Sequence, residues 1–213
     1  MKPKSKTWIR AHRRDMYYRL AKDNKLRSRA FFKLTQAAKK YGLINLGDFI
    51  LDLGAAPGGW AQAARAIVGN DGYVLGVDIV DVVPLPWKNV EFIIGDITRP
   101  ETVSLILEKM KRSPDAVLSD ASPKISGVWE VDHARQIDLA ESALRIAVNI
   151  LRPGGCFFVK VFQGELLDSF IKEVKQYFSM VKIVKPAASR PESSEIYILG
   201  KDFKAKRAWL LSP

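Results

Sequence analysis

The stretch Leu51-Asp52-Leu53-Gly54-Ala55-Ala56-Pro57-Gly58-Gly59-Trp60 decides how this 213-residue chain folds. It reads as the end of a short apolar strand (49–53), a glycine-rich turn (54–59) and the start of a helix (60–68). Small residues in such a turn let backbone approach a ligand closely. The spacing is not G-x-G-x-x-G, and Pro57 removes an N–H from inside the turn. A dinucleotide pyrophosphate, which needs amides at a helix N-terminus, is therefore disfavoured. The G-K-[ST] of a phosphate-binding loop is absent as well. By itself the turn is equally consistent with a tight bend that holds nothing.

Downstream the same rhythm repeats. Strands are expected at 73–77, 90–94, 115–118, 156–162, 181–184 and 195–199, and helices at 101–111, 132–151 and 166–178. The long helix is expected to start on an Asp132 cap and to stop at Pro153-Gly154-Gly155. Pro84 and Pro86 make 82–87 a loop, and 121–131 is expected to be the one long irregular piece. Upstream, residues 8–41 contain few breakers and read as helical. Tyr17, Tyr18, Leu20, Phe31, Phe32 and Leu34 can form an apolar side there, and Gly42 and Gly47 bracket a turn. Strand–helix alternation predicts an α/β fold: a doubly wound, seven-stranded, mostly parallel sheet with helices on both faces and an N-terminal basic helical extension. The expected divisions are 1–47 for the extension, 48–200 for the domain and 201–213 for a basic tail. In such sheets ligands bind beyond the carboxyl ends of the strands.

Charge is distributed unevenly. Residues 1–47 hold 14 Lys or Arg against two acidic residues, Asp15 and Asp23, whereas the rest of the chain holds 20 against 21. The whole excess of the +11 net charge thus lies in the first fifth of the chain. That pattern points to a polyanionic partner, with nucleic acid favoured over a membrane surface or an acidic protein. A single cysteine, Cys156, excludes a disulfide framework and a four-cysteine zinc site. With only two histidines, His12 and His133, no metal site is expected. No run is long enough to span a membrane and no secretory signal is evident, so a cytoplasmic protein is expected.

The expected strand ends carry acids. Asp78 closes the second strand, where a carboxylate can accept both hydroxyls of a ribose; Asp96 follows the third and can face an adenine amino group. Either can instead be an ordinary turn former. Together with the glycine turn they suit a nucleoside cofactor without a pyrophosphate, S-adenosylmethionine being the candidate. Lys160 lies in Phe157-Phe158-Val159-Lys160-Val161-Phe162, an otherwise apolar strand, where a lysine calls for a partner unless it snorkels. Asp120 ends the fourth strand in Leu118-Ser119-Asp120-Ala121-Ser122-Pro123.

The segment Asp52-Leu53-Gly54-Ala55-Ala56-Pro57-Gly58-Gly59-Trp60 resembles the cofactor motif of the FtsJ-like (RrmJ) RNA 2′-O-ribose methyltransferases. Four further blocks match that family in order. They are Leu26-Arg27-Ser28-Arg29-Ala30-Phe31-Phe32-Lys33-Leu34, Ser119-Asp120-Ala121-Ser122-Pro123, Val159-Lys160-Val161-Phe162-Gln163-Gly164-Glu165 and Ser193-Ser194-Glu195-Ile196-Tyr197. The resemblance covers roughly residues 15–200. Its one noted departure is Asp120-Ala121-Ser122-Pro123 in place of the commoner Asp-Met-Ala-Pro. The resemblance implies a Rossmann-like, class I, S-adenosylmethionine-dependent fold. It also implies a catalytic tetrad of Lys33, Asp120, Lys160 and Glu195, and cofactor contacts from Gly54, Ala55, Pro57, Gly58, Gly59, Trp60, Asp78, Asp96 and Asp120. Lys33 and Glu195 are picked out by the resemblance alone. In the expected roles Lys160 orients a ribose hydroxyl and favours its deprotonation, and Asp120 holds Lys160. Lys33 and Glu195 balance the charge.

For RNA contact we expect Arg10, Arg13, Arg14, Arg27, Arg29 and Lys124, with the nearby aromatics docking the extension on the core. Among relatives the length and block pattern are most similar to single-domain enzymes that modify a uridine of large-subunit ribosomal RNA. The expected partner is therefore rRNA, with no DNA and no membrane, and the expected state is a monomer. The alternatives are a tRNA or mRNA-cap ribose methyltransferase, a non-catalytic RNA-binding ribosome-assembly factor and, more distantly, a nicotinamide dehydrogenase.

Overall fold

The computed structural model describes residues 16–190 and 192–204. In chain order these form α1 (Met16–Asp23), α2 (Ala30–Tyr41), β1 (Phe49–Leu53), α3 (Gly59–Val68), β2 (Tyr73–Asp78), β3 (Val90–Ile94) and α4 (Pro100–Lys109). There follow β4 (Ala116–Ser119), α5 (Trp129–Ile150), β5 (Cys156–Phe162), α6 (Leu167–Tyr177), β6 (Phe178–Val184) and β7 (Glu195–Phe203). The strands make one sheet in the order β3-β2-β1-β4-β5-β7-β6. Every pairing from β3 to β5 is parallel, and β7 runs antiparallel to both β5 and β6. The doubly wound, mostly parallel sheet is thus as expected. The strand order turns back between β1 and β4, which opens a crevice at their carboxyl ends.

Alternation along the strands separates two cores. Leu51, Leu53, Val117, Phe157, Val159 and Val161 face α4, α5 and α6, where Ile137, Ala140 and Leu144 meet them. Ile50, Leu118, Phe158, Tyr197 and Leu199 face α2 and α3, against Leu34, Ala37, Trp60 and Ala64. The α2 helix therefore belongs to the domain core, and the line expected at 47 separates no independent body among the described residues. At the other end β7 runs to Phe203, past the expected boundary at 200.

Three local expectations are corrected. The helix expected over 8–41 is broken between Asp23 and Ala30. Lys25 takes a left-handed φ of 54°, and the N–H groups of Lys25 and Leu26 bond the carbonyls of Lys22 and Ala21. This is a Schellman stop, which glycine usually makes; here a lysine makes it, so the composition did not reveal it. The long helix begins at Trp129 rather than Asp132. The Asp132 carboxylate reaches back to the N–H and hydroxyl of Ser126 at 2.7 Å each and to the Gly127 N–H at 3.1 Å, closing the preceding loop. Residues 79–89 make a second long irregular segment, because the chain must travel from the end of β2 back to the start of β3.

Among the described residues no helix is long and apolar enough to cross a membrane.

Candidate active site

The crevice at the switch point holds a cavity of about 550 Å³, within the usual size range of small-ligand sites. Each strand end contributes: Gly54 and Ala56 after β1, Asp78 and Ile79 after β2, Gly95 to Thr98 after β3, and Asp120 to Lys124 after β4. Gly54 has a φ of +75°, and a Cβ there would lie 2.5 Å from the Ala121 backbone. Only glycine lets β1 and the β4 loop close this floor. Asp78 Oδ2 accepts the Ala56 N–H at 2.8 Å and Oδ1 accepts the Val80 N–H at 3.1 Å, so the carboxylate is fixed with lone pairs to spare. Asp96 accepts the N–H and hydroxyl of Thr98 at 2.9 and 2.7 Å, and these bonds hold its carboxyl below the ordinary range. Val77, Ile79, Ile97 and Leu139 supply apolar wall.

These donors fit S-adenosylmethionine. Four carboxylates, Asp78, Asp96, Asp120 and Asp138, line a cavity whose apolar walls suit a base, and among the described residues Lys124 and Arg135 are the cations that line it. Asp78 stands where a ribose can be gripped, and acids favour a cationic ligand over a pyrophosphate.

Of the nine residues expected to bind cofactor, Gly54, Asp78, Asp96 and Asp120 line the cavity. Ala55, Pro57, Gly58, Gly59 and Trp60 do not; they shape the turn from behind. Gly59 lies so close to Ser28 that a Cβ would sit 2.1 Å from its hydroxyl. Trp60 is 2% exposed, stacks on Phe158 and donates its indole N–H to the Ala30 carbonyl at 2.9 Å, tying α2 to α3. The indole is thus a core side chain, whereas the contact expected with cofactor is one of backbone around Gly58 and Trp60. Conversely, Ile97, Thr98, Arg135, Asp138 and Leu139 line the cavity without having been singled out. The i, i+3, i+4 spacing of the last three marks one helix face, but nothing in the sequence says that this face meets a ligand.

Beside the cavity the four expected catalytic residues come together across β4, β5, β7 and α2. Lys160, buried in β5, points its Nζ at the Asp120 carbonyl, 2.7 Å away, and at Asp120 Oδ1, 3.4 Å away. Lys33, buried on α2, pairs with Glu195 at 2.9 Å. Tyr197 lies between the two pairs, opposite Lys160 in the sheet register. Its hydroxyl donates to Asp120 Oδ1 at 3.0 Å, and the Lys33 ammonium sits 5.7 Å from its ring centre. Burial, with Asp120 and Glu195 adding to it, pushes the Tyr197 phenol well above its ordinary pKa, so it serves as a donor. Tyr197 went unassigned in the sequence, although its place two residues after Glu195 puts both on one face of β7. Gln136 donates to the Lys160 and Ala121 carbonyls at 3.0 and 3.2 Å and pins β5 to the β4 loop.

Of the residues expected to face RNA, Arg10, Arg13 and Arg14 lie outside the described residues. Lys124 is exposed on the cavity rim. Arg27 and Arg29 both make bonds within the protein, which the sequence did not reveal. The Arg27 guanidinium donates to the carbonyls of Pro57 at 3.1 Å, Pro84 at 2.7 Å and Val83, clamping the glycine turn to the 79–89 segment. Arg29 donates to the Ala188 carbonyl, and burial lowers its pKa, with Arg190 assisting. A basic residue early in the chain can cap orphan carbonyls as readily as phosphates, and composition cannot tell the two apart.

A doubly wound sheet whose glycine turn shuns pyrophosphate and whose switch point holds an acid-rimmed nucleoside cavity places this protein among the S-adenosylmethionine-dependent methyltransferases. Comparison with known proteins narrows the class. The chain belongs to the FtsJ-like methyltransferase family, whose model matches residues 26–203. It is 48% identical over 207 residues to the ribosomal RNA large subunit methyltransferase E of Methanococcus aeolicus, an alignment covering 97% of this chain and 77% of that one. The protein of the same name from Methanothermobacter thermautotrophicus is 46% identical over 96% of this chain and 97% of its own. The fold superposes on a structure described as a ribosomal RNA methyltransferase from Plasmodium falciparum, with a TM-score of 0.74 and 29% identity over 83% of this chain and 98% of the other. Aeropyrum pernix fibrillarin, solved with natively bound S-adenosyl-L-methionine, shares the fold at a TM-score of 0.55 and 21% identity, covering 80% of this chain and 75% of the other.

Proposed function

We propose that this protein transfers a methyl group from S-adenosylmethionine to the 2′-hydroxyl of a ribose in large-subunit ribosomal RNA, with a uridine as the modified nucleotide. The observation that carries the reading is the pairing of Lys160 with Asp120 and of Lys33 with Glu195 around Tyr197, beside the nucleoside cavity. The naming of the relatives supports the ribosomal RNA target.

When bound, S-adenosylmethionine supplies an activated methyl on a sulfonium, a good leaving group. The protein must then make a poor nucleophile adequate. An ammonium has three donors, and Lys160 aims its nitrogen at two acceptors of Asp120. The remaining N–H is available to a ribose hydroxyl, which it orients and whose developing negative charge it stabilises while the hydroxyl proton passes to water. Asp120 is itself held by Tyr197, so the lysine is fixed before substrate arrives. Lys33 and Glu195 keep a second paired charge close by, and a hydroxyl entering between the pairs meets cations on two sides. The excess charge in residues 1–47 and the exposed Lys124 supply the attraction for RNA, and the protein acts as a monomer in the cytoplasm.

The test is methyl transfer from labelled S-adenosylmethionine to ribosomal subunits, free rRNA and tRNA, followed by identification of the nucleoside by mass. A 2′-O-methyluridine confined to the large-subunit substrate is expected. Label in tRNA alone would move the target, and transfer to none of these RNAs despite cofactor binding would favour the assembly-factor alternative.

A further inference from the structure

Two tryptophans in the described fold behave oppositely. Trp60 is buried at 2% exposure, whereas Trp129, the first residue of α5, keeps 45% of its surface open. Yet Trp129 is not loose. Its ring stacks within 14° of parallel on His133, with centroids 6.0 Å apart, and within 25° of parallel on Phe162, 5.9 Å apart. His133 is buried and fixed in turn, because its Nε2 accepts the Leu166 N–H at 3.1 Å. Phe162 is the second residue after Lys160 on β5 and pairs in the register with Glu195, as Lys160 pairs with Tyr197. Two residues of strand advance roughly 7 Å, and the indole stacks 5.9 Å from the Phe162 ring, which sets it past the carboxyl end of β5, on the side a nucleotide neighbouring the reacting one would occupy. Ile125 and Val128 are exposed in the loop leading to it, and the exposed Lys124 stands at the start of that loop, on the cavity rim.

We propose that Trp129 is a stacking platform for the unpaired base of the nucleotide next to the methylated one. The inference rests on the ribose-methylation reading and adds how the strand is presented. A rigid, half-open aromatic ring is what single-stranded RNA uses: bases stack on it, while a cation such as Lys124 at the start of the same loop can take a phosphate. A protein partner would exploit the same apolar exposure. The proximity to Lys160 and the net charge of +11 favour the nucleic acid. Because any base has a π-face, the platform splays the strand and presents the neighbouring ribose without reading sequence.

The experiment compares the wild type with Trp129→Ala and Trp129→Phe in two measurements. In the first, a short single-stranded RNA in which 2-aminopurine replaces adenine is titrated with protein, and quenching reports stacking without any need for methyl transfer. In the second, KM and kcat are measured on the methylated RNA, together with cofactor affinity and thermal unfolding. Trp129→Ala is expected to lose the quenching and to raise KM for RNA roughly tenfold, from the usual value of one base–aromatic stack. Cofactor affinity and melting temperature should stay near wild type, and Trp129→Phe should fall between. An abasic site beside the target nucleotide should abolish the difference between wild type and Trp129→Ala. Unchanged quenching and KM in Trp129→Ala would overturn the proposal. So would an abasic site that costs the wild type nothing, which would leave the patch to a protein partner, or a loss of cofactor affinity and stability in step with KM, which would make the ring structural. Should the wild type methylate no RNA, the parent reading fails on its own evidence, and the quenching still decides whether bases stack on Trp129.

Discussion

Lys160 has two of its three donor directions committed to Asp120 and lies outside the cavity wall, so its removal separates chemistry from cofactor binding. Lys160→Ala is expected to lower kcat by roughly a hundredfold or more, with cofactor affinity unchanged by calorimetry. Wild-type turnover would remove Lys160 from the mechanism. Asp52 offers a different test. It is fully buried in β1 and both carboxylate oxygens lack a hydrogen-bond partner. Burial, reinforced by the charges of Asp120 and Asp78, pushes its pKa up to about 8, and only the Ala61 N–H, too poorly placed to count as a bond, pulls the other way. The folded protein therefore binds a proton that the unfolded chain, with an ordinary Asp near 3.8, releases first. Between those values the folded state holds more protons, so this group makes stability fall as pH rises from about 4 to about 8. Asp52→Asn cannot ionise and should flatten that part of the melting-temperature profile. An unchanged slope in the variant would mean that Asp52 is charged at neutral pH.

Among the elements, α2 carries the most consequence per residue, because it brings Lys33 to Glu195 and buries Leu34, Ala37 and Ala38. Trp60 fastens it through the bond to Ala30 and through stacking on Phe158. Trp60→Ala is expected to destabilise the fold by about 3–5 kcal/mol in denaturant titration. Trp60→Phe keeps most of the packing and should cost about 1 kcal/mol for the lost indole bond. Arg27 is the second fastener. Arg27→Ala frees the glycine turn from the 79–89 segment, which carries Ile79 to the cavity, and should weaken cofactor binding about tenfold. If Arg27 instead served mainly to bind phosphate, RNA affinity would fall while cofactor affinity stayed constant, so measuring both in one variant decides between the two roles.

For the molecule as a whole, electrostatics and fold separate cleanly. The basic excess lies in residues 1–47, and the part from α1 onward packs on the domain. Deleting residues 1–15, which hold six Lys or Arg, should leave the melting temperature in place and reduce both RNA affinity and its salt dependence. Binding by the full chain should fall by about three orders of magnitude between roughly 50 and 200 mM salt if six or more phosphates are engaged. Equal salt slopes for the two proteins in filter binding would remove the first fifteen residues from the interface.

The sequence by itself determined the doubly wound, mostly parallel sheet and singled out the four residues found around Tyr197. Strand–helix periodicity and strand-end acids are local signals, and the blocks around Lys33, Asp120, Lys160 and Glu195 carried a family resemblance. It did not determine how those residues pair, since Lys33 and Glu195 meet only because α2 docks on the face that presents β7. Nor did it show that Trp60 belongs to the core while Trp129 stays open, or that Arg27 braces a turn. A side chain's type states what it can bind, and only the packed chain decides which partner reaches it first. Carbonyls left unpaired at the glycine turn, at residues 83–84 and at Ala188 drew in cations that composition assigned to RNA. A guanidinium that the packed chain brings within reach of several carbonyls spends its donors there, whereas composition records only that the charge is present.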